Sequence, residues 1–243
     1  MRTLIAFRLR GRFAHFLRAE AGVNAFSYPV PSRTVILGLL GAVLGLEKDS
    51  PQKKLKPMKV ALTGLLPVKH WHRAKLRKDS PELLPYEIKN TQSSEKNTKP
   101  ESATLINQEW LFNPDYMLWV NVPEPYHSEL EMRIQRKHWF FQPFLGLSEM
   151  LADLEYVETL AYEKLPAGNY FIDSVMRQDQ IELDINQVYG DNPLSLHMLR
   201  MPRMLSETRV FRHASYILEK DALPVPVRTS EAYKVGGKVL MFL

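Results

Sequence analysis

The thirteen residues TVILGLLGAVLGL, 34 to 46, form the longest apolar run in the chain. They limit the possible folds more than any other segment. A helix needs about 20 apolar residues to cross a bilayer, and this run falls short. It therefore belongs inside a protein core. Ser32, just ahead of the run, is a good N-cap. The spacing predicts one helix from about Arg33 to Leu46, stopping near EKDSP with Pro51 beyond. The helix carries Gly38, Gly41 and Gly45. A glycine inside a helix costs roughly 1 kcal/mol against alanine. Spacings of three and four place all three on one face, and close packing of that face on a sheet is the generic explanation.

Around this helix the pattern alternates between strand and helix. LIAFRL, residues 4 to 9, reads as a first strand. Residues 10 to 30 read as a loop rich in arginine and aromatics that ends in YPVP. KVALTGLLPV, residues 59 to 68, reads as a second strand. Residues 69 to 104 are a long polar stretch that contains the loop-like NTQSSEKNTKPES. PDYMLWVNVP, residues 114 to 123, is a third strand with Tyr116, Leu118 and Val120 on one face. SELEMRIQRKHWF, residues 128 to 140, is a second helix with Leu130, Ile134 and Met132 turned inward. LADLEYVETLAYEKL, residues 151 to 165, supplies a fourth strand.

Strand, helix, strand, strand, helix, strand is the ferredoxin-like order. The expected fold class is α+β: a ferredoxin-like domain over residues 1–165, interrupted at about 69–104. Residues 166–243 hold short β-like runs and form a β-rich second part. Gly236-Gly237 reads as a hairpin turn.

Composition narrows the function. The chain of 243 residues is 45% apolar and 24% charged, as in ordinary globular proteins. It has no cysteine, which excludes disulfides and thiolate metal sites and fits a reducing cytosol. The N-terminal MRTLIAFRLRGRF lacks the apolar block and cleavage site of a signal peptide. Net charge is +5, unevenly placed. Residues 1–19 hold five arginines and no acid; residues 51–78 hold seven lysines, two arginines and no acid. Such fields favour nucleic acid or another polyanion.

A catalytic site is hard to assemble. There is no Walker loop and no GxGxxG after a strand. Gly146-Leu147-Ser148-Glu149 lacks the second glycine of a nucleophile elbow. His70 and His72 share a face of an extended segment as metal ligands do, but no carboxylate or thiolate completes a set. They fit better with Lys69, Arg73, Lys75, Arg77 and Lys78 in one basic surface, KHWHRAKLRK. Cations there hold a phosphate backbone; Trp71 either stacks a base or packs on the core. The RNP1 signature is absent. In FRLRGRFAHF, residues 7 to 16, Arg8 and Arg10 share a strand face and Arg12 and His15 follow. Either they are surface charge, or they lead toward the N-terminus of the first helix, whose free N–H groups suit phosphate.

SYPVPSRTVILGLLGAVLGLEKD resembles the first-helix motif of the fifth CRISPR-associated protein family, over residues 26–49. That motif is an aromatic-Pro, a Pro-Ser or Thr-Arg lead-in, then Gly-Leu-Leu-Gly-Ala-x-Leu-Gly. QPFLGLSEM, residues 142–150, and NQEWLFNPDYMLWV, residues 107–120, are similar to further family segments. The resemblance implies a modified ferredoxin-like fold of the RAMP superfamily. It implies a cytoplasmic prokaryotic subunit at one end of the Cascade surveillance complex, binding the 5′ handle of the CRISPR RNA. An inserted thumb, here residues 69–104, folds over the RNA. The implied partners are the RNA handle, the backbone and large subunits, and target DNA near the complex; no membrane, cofactor or metal is implied.

One branch of the family cuts precursor RNA with a tyrosine, a lysine and a histidine. Tyr28 matches the tyrosine and His127 the histidine, but in EPYHSELEM Tyr126 stands where lysine is expected. The resemblance therefore favours a non-catalytic, type I-B-like subunit, with a type I-C-like endoribonuclease as the alternative. A basic nucleic-acid-binding module of unrelated function is a third reading. The expected RNA contacts are Arg8, Arg10, Arg12, His15, Tyr28, Ser32 and Arg33 around the first helix, with Lys69, His70 and Arg73 at the thumb base.

Overall fold

A strand that is apolar on both faces belongs in the middle of a sheet. β1 (Thr3–Arg10) is such a strand: Ile5, Phe7 and Leu9 face one core cluster, and Leu4 and Ala6 face another. The computed structural model describes residues 3–18, 24–77, 103–190, 192–206 and 208–243. Three further long strands complete the central sheet: β2 (Lys59–Thr63), β3 (Asp115–Asn121) and β4 (Asp153–Lys164). β1 pairs antiparallel with β3 and β4, and β3 pairs antiparallel with β2. β5 (Tyr233–Val235) and β6 (Lys238–Leu240) extend the β4 edge, giving the order β6-β5-β4-β1-β3-β2. Gly236-Gly237 forms the tight turn between them, with Gly236 at φ 56°. The Leu243 N–H donates to the Val60 carbonyl at 2.9 Å, so the C-terminus reaches back to the β2 edge. This contact protects a sheet edge that would otherwise offer free backbone groups.

Two helices cover one face. α1 (Arg33–Leu44) buries Ile36, Leu40 and Val43 completely against the sheet. Ser32 caps it, its Oγ accepting from the Val35 N–H at 3.4 Å. The helix ends two residues before the expected Leu46, because Gly45 adopts φ 72° and closes it. The three glycines do not pack on the sheet. Gly38 is exposed, with open space where a β-carbon would stand; Gly41 faces Pro51; Gly45 sits under the Phe140 ring. α2 (Tyr126–Gln135) buries Leu130 and Ile134, whereas Met132 points to solvent at 39% exposure. It stops at Gln135 rather than 140, where Lys137 turns to φ 50°.

Other expectations change in detail. The arginine-rich loop after β1 contains short strands at Phe13–Ala14, Phe16–Leu17, Asn24–Ala25 and Ser27–Tyr28. The predicted strand 59–68 stops at Thr63. A new strand, Val68–Arg77, then pairs antiparallel with Ala103–Phe112. The expected polar loop is therefore a β-hairpin at its root. NTQSSEKNTKPES lies outside the described residues.

The C-terminal third is strand-rich. Leu196–Leu205 and Phe211–Glu219 form a long hairpin, joined by Met176–Arg177. Gly168–Ile172, Val225–Thr229 and Glu182–Leu183 form a second small sheet. Met201, Tyr216 and Leu218 of the hairpin join the same core cluster as α1. The architecture is mixed α/β and rich in strands. Among the described residues no helix is long and apolar enough to cross a membrane.

Candidate nucleic-acid interface

Strand alternation builds the first basic surface. Along Val68–Arg77 the side chains of Lys69, Trp71, Arg73 and Lys75 share one face, and all four are exposed. Trp71 is 51% exposed and meets Phe26 edge-on at 5.6 Å. It does not pack into the core, so half of it stays open. The Arg73 Nε donates to Asn107 Oδ1 at 3.3 Å. The reverse face carries exposed His70, while His72 stacks on Trp110 at 4.0 Å. Trp110 lies 5.3 Å from Phe13, and the exposed Arg12 sits 5.8 Å over that ring.

One buried carboxylate pins this hairpin to the body. Glu109 is 6% exposed. Its Oε1 accepts from Lys69 Nζ at 2.9 Å, and its Oε2 accepts from the Ser27 N–H at 2.9 Å. The Glu109 carbonyl lies 2.9 Å from His15 Nδ1. No sequence signal marked Glu109; it reads as one charge in an ordinary strand.

The four basic groups expected to converge on the approach to α1 do not converge. Arg8 and Arg10 lie on the sheet face opposite the helices, and carboxylates neutralise both. Arg8 pairs with Asp115, which holds its guanidinium above the usual range. Arg10 pairs with Glu155 at 2.6 Å and Asp153 at 3.3 Å. Burial alone raises the Asp153 carboxyl, but Lys137 and Arg10 outweigh it and hold the group low. His15 is buried in the junction with Glu109, and Ser32 is buried as the helix cap. Tyr28 is 3% exposed, with the Arg18 guanidinium 5.2 Å from its ring.

The structure does not bring Tyr28 and His127 together. The His127 Nε2 bonds Thr3 Oγ1 at 3.1 Å, at the start of β1. The residue after Tyr28, Pro29, accepts from the Tyr116 hydroxyl at 2.6 Å, and Tyr116 pairs with Leu9 near the other end of β1. Thr3 and Leu9 are six residues apart, roughly 20 Å along a strand. His127 is itself only 6% exposed.

A second basic surface escaped the sequence reading. Arg33 does not point toward the hairpin. Its Nη2 donates to the Met58 carbonyl at 2.9 Å and its Nη1 to the Arg203 carbonyl at 3.4 Å. Burial, and then the like charge of Arg203, push its guanidinium below the usual range. It lines a cavity of about 880 Å³ between the start of α1 and the C-terminal hairpin, with Lys56, Arg203, Arg209 and Arg212. An adjoining cavity of about 600 Å³ shares Arg203 and Arg212 and adds Arg177 and His213. The signal was present in LRMPRMLSETRVFR, residues 199–212, which holds four arginines and one acid.

The sequence profile for CRISPR-associated protein (Cas_Cas5) matches residues 4–217. No protein of curated function matches the chain by sequence. Among solved structures, one described as a CRISPR protein from Archaeoglobus fulgidus is 12% identical with a TM-score of 0.55. The match covers 99% of this chain and 98% of that one. A chain in a CRISPR RNA-guided surveillance complex is 15% identical with a TM-score of 0.52, covering 92% of this chain and 91% of that one. At these identities the two structures speak for the fold, and the profile speaks for ancestry. Matched over nearly its whole length, the chain belongs to the Cas5 family of CRISPR-associated proteins.

Proposed function

We propose that the protein is an RNA-binding, non-catalytic subunit of a type I-B-like Cascade complex, holding the 5′ handle of the CRISPR RNA. One observation carries the reading: Lys69, Trp71, Arg73 and Lys75 line up exposed on one strand of the inserted hairpin. Arg73 and Lys75, in line with an open aromatic ring, suit a single strand, whose phosphates they neutralise and whose bases the ring stacks, while Glu109 already holds Lys69. By the resemblance, this hairpin corresponds to the root of the family's thumb. The fourth-first-third-second order of the strands β4-β1-β3-β2 supports a modified ferredoxin-like, RAMP-type domain. Backbone and large subunits, and target DNA beside them, are the partners this role entails.

The roughly 20 Å between the anchors of Tyr28 and His127, and the burial of both side chains, support a binding role over an acid–base ribonuclease. The test is to incubate the purified protein with its repeat RNA and with a scrambled RNA of equal length. The expected result is tighter binding of the repeat RNA and no cleavage without metal. Equal affinity for both RNAs overturns handle recognition. Specific metal-independent cleavage, lost in Tyr28→Phe or His127→Ala, replaces the reading with the endoribonuclease.

A further inference from the structure

Buried polar atoms normally have hydrogen-bond partners. In the cleft between α1 and the C-terminal hairpin several have none among the described residues: Nε of Arg33, Arg177 and Arg203, and Nε2 of His213. The hydroxyl of the core residue Tyr216, 1% exposed and outside the lining of either cavity, also has none. Arg33, Arg177 and Arg203 all lie within electrostatic reach of it. Among the described residues no carboxylate pairs with Arg33, Arg203 or Arg212. The two aspartates lining the cavities, Asp49 and Asp179, are already bound to Arg209 and Arg177.

Like charges gathered and half desolvated oppose folding unless an anion joins them. The cluster also has the right shape for more than a lone ion. Arg203 and Arg212 line both cavities, so the basic floor runs on from one to the next. A floor of spaced cations fits a repeating anion, and the guanidinium fork fits phosphate oxygens in pairs.

We infer that this cleft is a phosphate-binding site: Arg33 and Arg203 hold one phosphate of a bound single strand, and Arg212 meets the next. That the strand is RNA rests on the function proposed above; the phosphate chemistry does not. The site adds a second contact zone, apart from the hairpin face.

The test uses the full-length protein with two probes. Inorganic phosphate is titrated against chloride at constant ionic strength, following thermal unfolding. Repeat-derived single-stranded RNA is titrated at several salt concentrations. Phosphate is expected to raise the unfolding midpoint of the wild type, and Arg203→Gln to abolish the rise. Arg203→Lys, which keeps the charge but loses the fork, weakens phosphate binding roughly tenfold, the loss of one hydrogen bond to a charged group. Arg203→Gln also flattens the salt dependence of RNA binding by about 0.7 in the log–log slope, one phosphate contact on a single strand. Unfolding in chloride alone checks that each variant folds, and Arg203→Lys carries the test if Arg203→Gln does not.

No rise with phosphate, or an equal rise in wild type and both variants, overturns the site. An Arg203-dependent rise with an unchanged RNA slope overturns the strand and leaves free phosphate as the ligand. An Arg203-dependent rise in a protein that binds no RNA leaves the site standing and sinks the RNA-binding function instead.

Discussion

Glu109 joins the inserted hairpin to the lead-in of α1, so replacing it separates stability from RNA affinity. Its Oε2 accepts from the buried Ser27 N–H at 2.9 Å. Glu109→Ala leaves that N–H without its partner, which costs about 1–3 kcal/mol. The bond to Lys69 adds less than about 1 kcal/mol, because the Lys69 side chain is 45% exposed and solvent screens the pair. The sum is about 1–4 kcal/mol, or a fall in the unfolding midpoint of about 2–16 °C for a chain of this size. Glu109→Gln keeps an acceptor for Ser27 and removes only the charge, so it costs about 1 kcal/mol and about 2–4 °C. The same Glu109→Gln frees the Lys69 ammonium for phosphate. RNA binding then strengthens, and its log–log salt slope steepens by about 0.7. Thermal unfolding by circular dichroism and RNA titration at several salts read the two effects. The reasoning fails if Gln is as destabilising as Ala, or if both variants unfold within about 1 °C of wild type. It fails on the RNA side if Glu109→Gln binds with the wild-type slope.

Trp71→Ala should weaken RNA binding by about 1–3 kcal/mol, one stacked base, while urea unfolding shifts by less than about 1 kcal/mol. Gly38→Ala should stabilise the protein by about 0.5–1 kcal/mol in the same assay, since the site is an exposed helix interior with open space beside it. Gly45→Ala should do the opposite and cost more than about 1 kcal/mol. Its φ is 72°, and a new Cβ would collide with the Phe140 ring. Paired Arg10→Ala and Arg73→Ala variants should differ in RNA titration. Only Arg73→Ala flattens the salt slope, because Glu155 and Asp153 already neutralise Arg10.

The strongly periodic parts of the chain were legible. The alternation in DYMLWVN put Tyr116, Leu118 and Val120 on one face, and all three are fully buried. Ser32 announced its own cap. Three things were not legible, each for a physical reason. The hairpin strand over KHWHRAK, residues 69–75, reads as polar loop, because alternation there leaves no buried apolar face. Arg8 and Arg10 looked like free cations, because their acids lie more than a hundred residues away on β3 and β4. The glycines of α1 looked like one packing face, although one meets solvent, one a proline and one ends the helix.

The lead-in SYPVPSR gains its meaning from what lies at its two ends. The Ser27 N–H is held by Glu109, which also holds Lys69 at the hairpin root. Arg33 is held by the Met58 and Arg203 carbonyls at the edge of the basic cleft. Six residues separate them, so their Cα atoms lie no more than about 22 Å apart. Pro29 and Pro31 restrict the backbone between them, and Val30 is 1% exposed in the core. The segment therefore fixes a span as well as supplying Arg33 to the cleft. Its side chains from Ser27 to Ser32 are buried and Arg33 lines the cleft, so the segment spans two basic surfaces built from distant parts of the chain. A strand lying on the hairpin face and in the cleft at once would be measured against that fixed span.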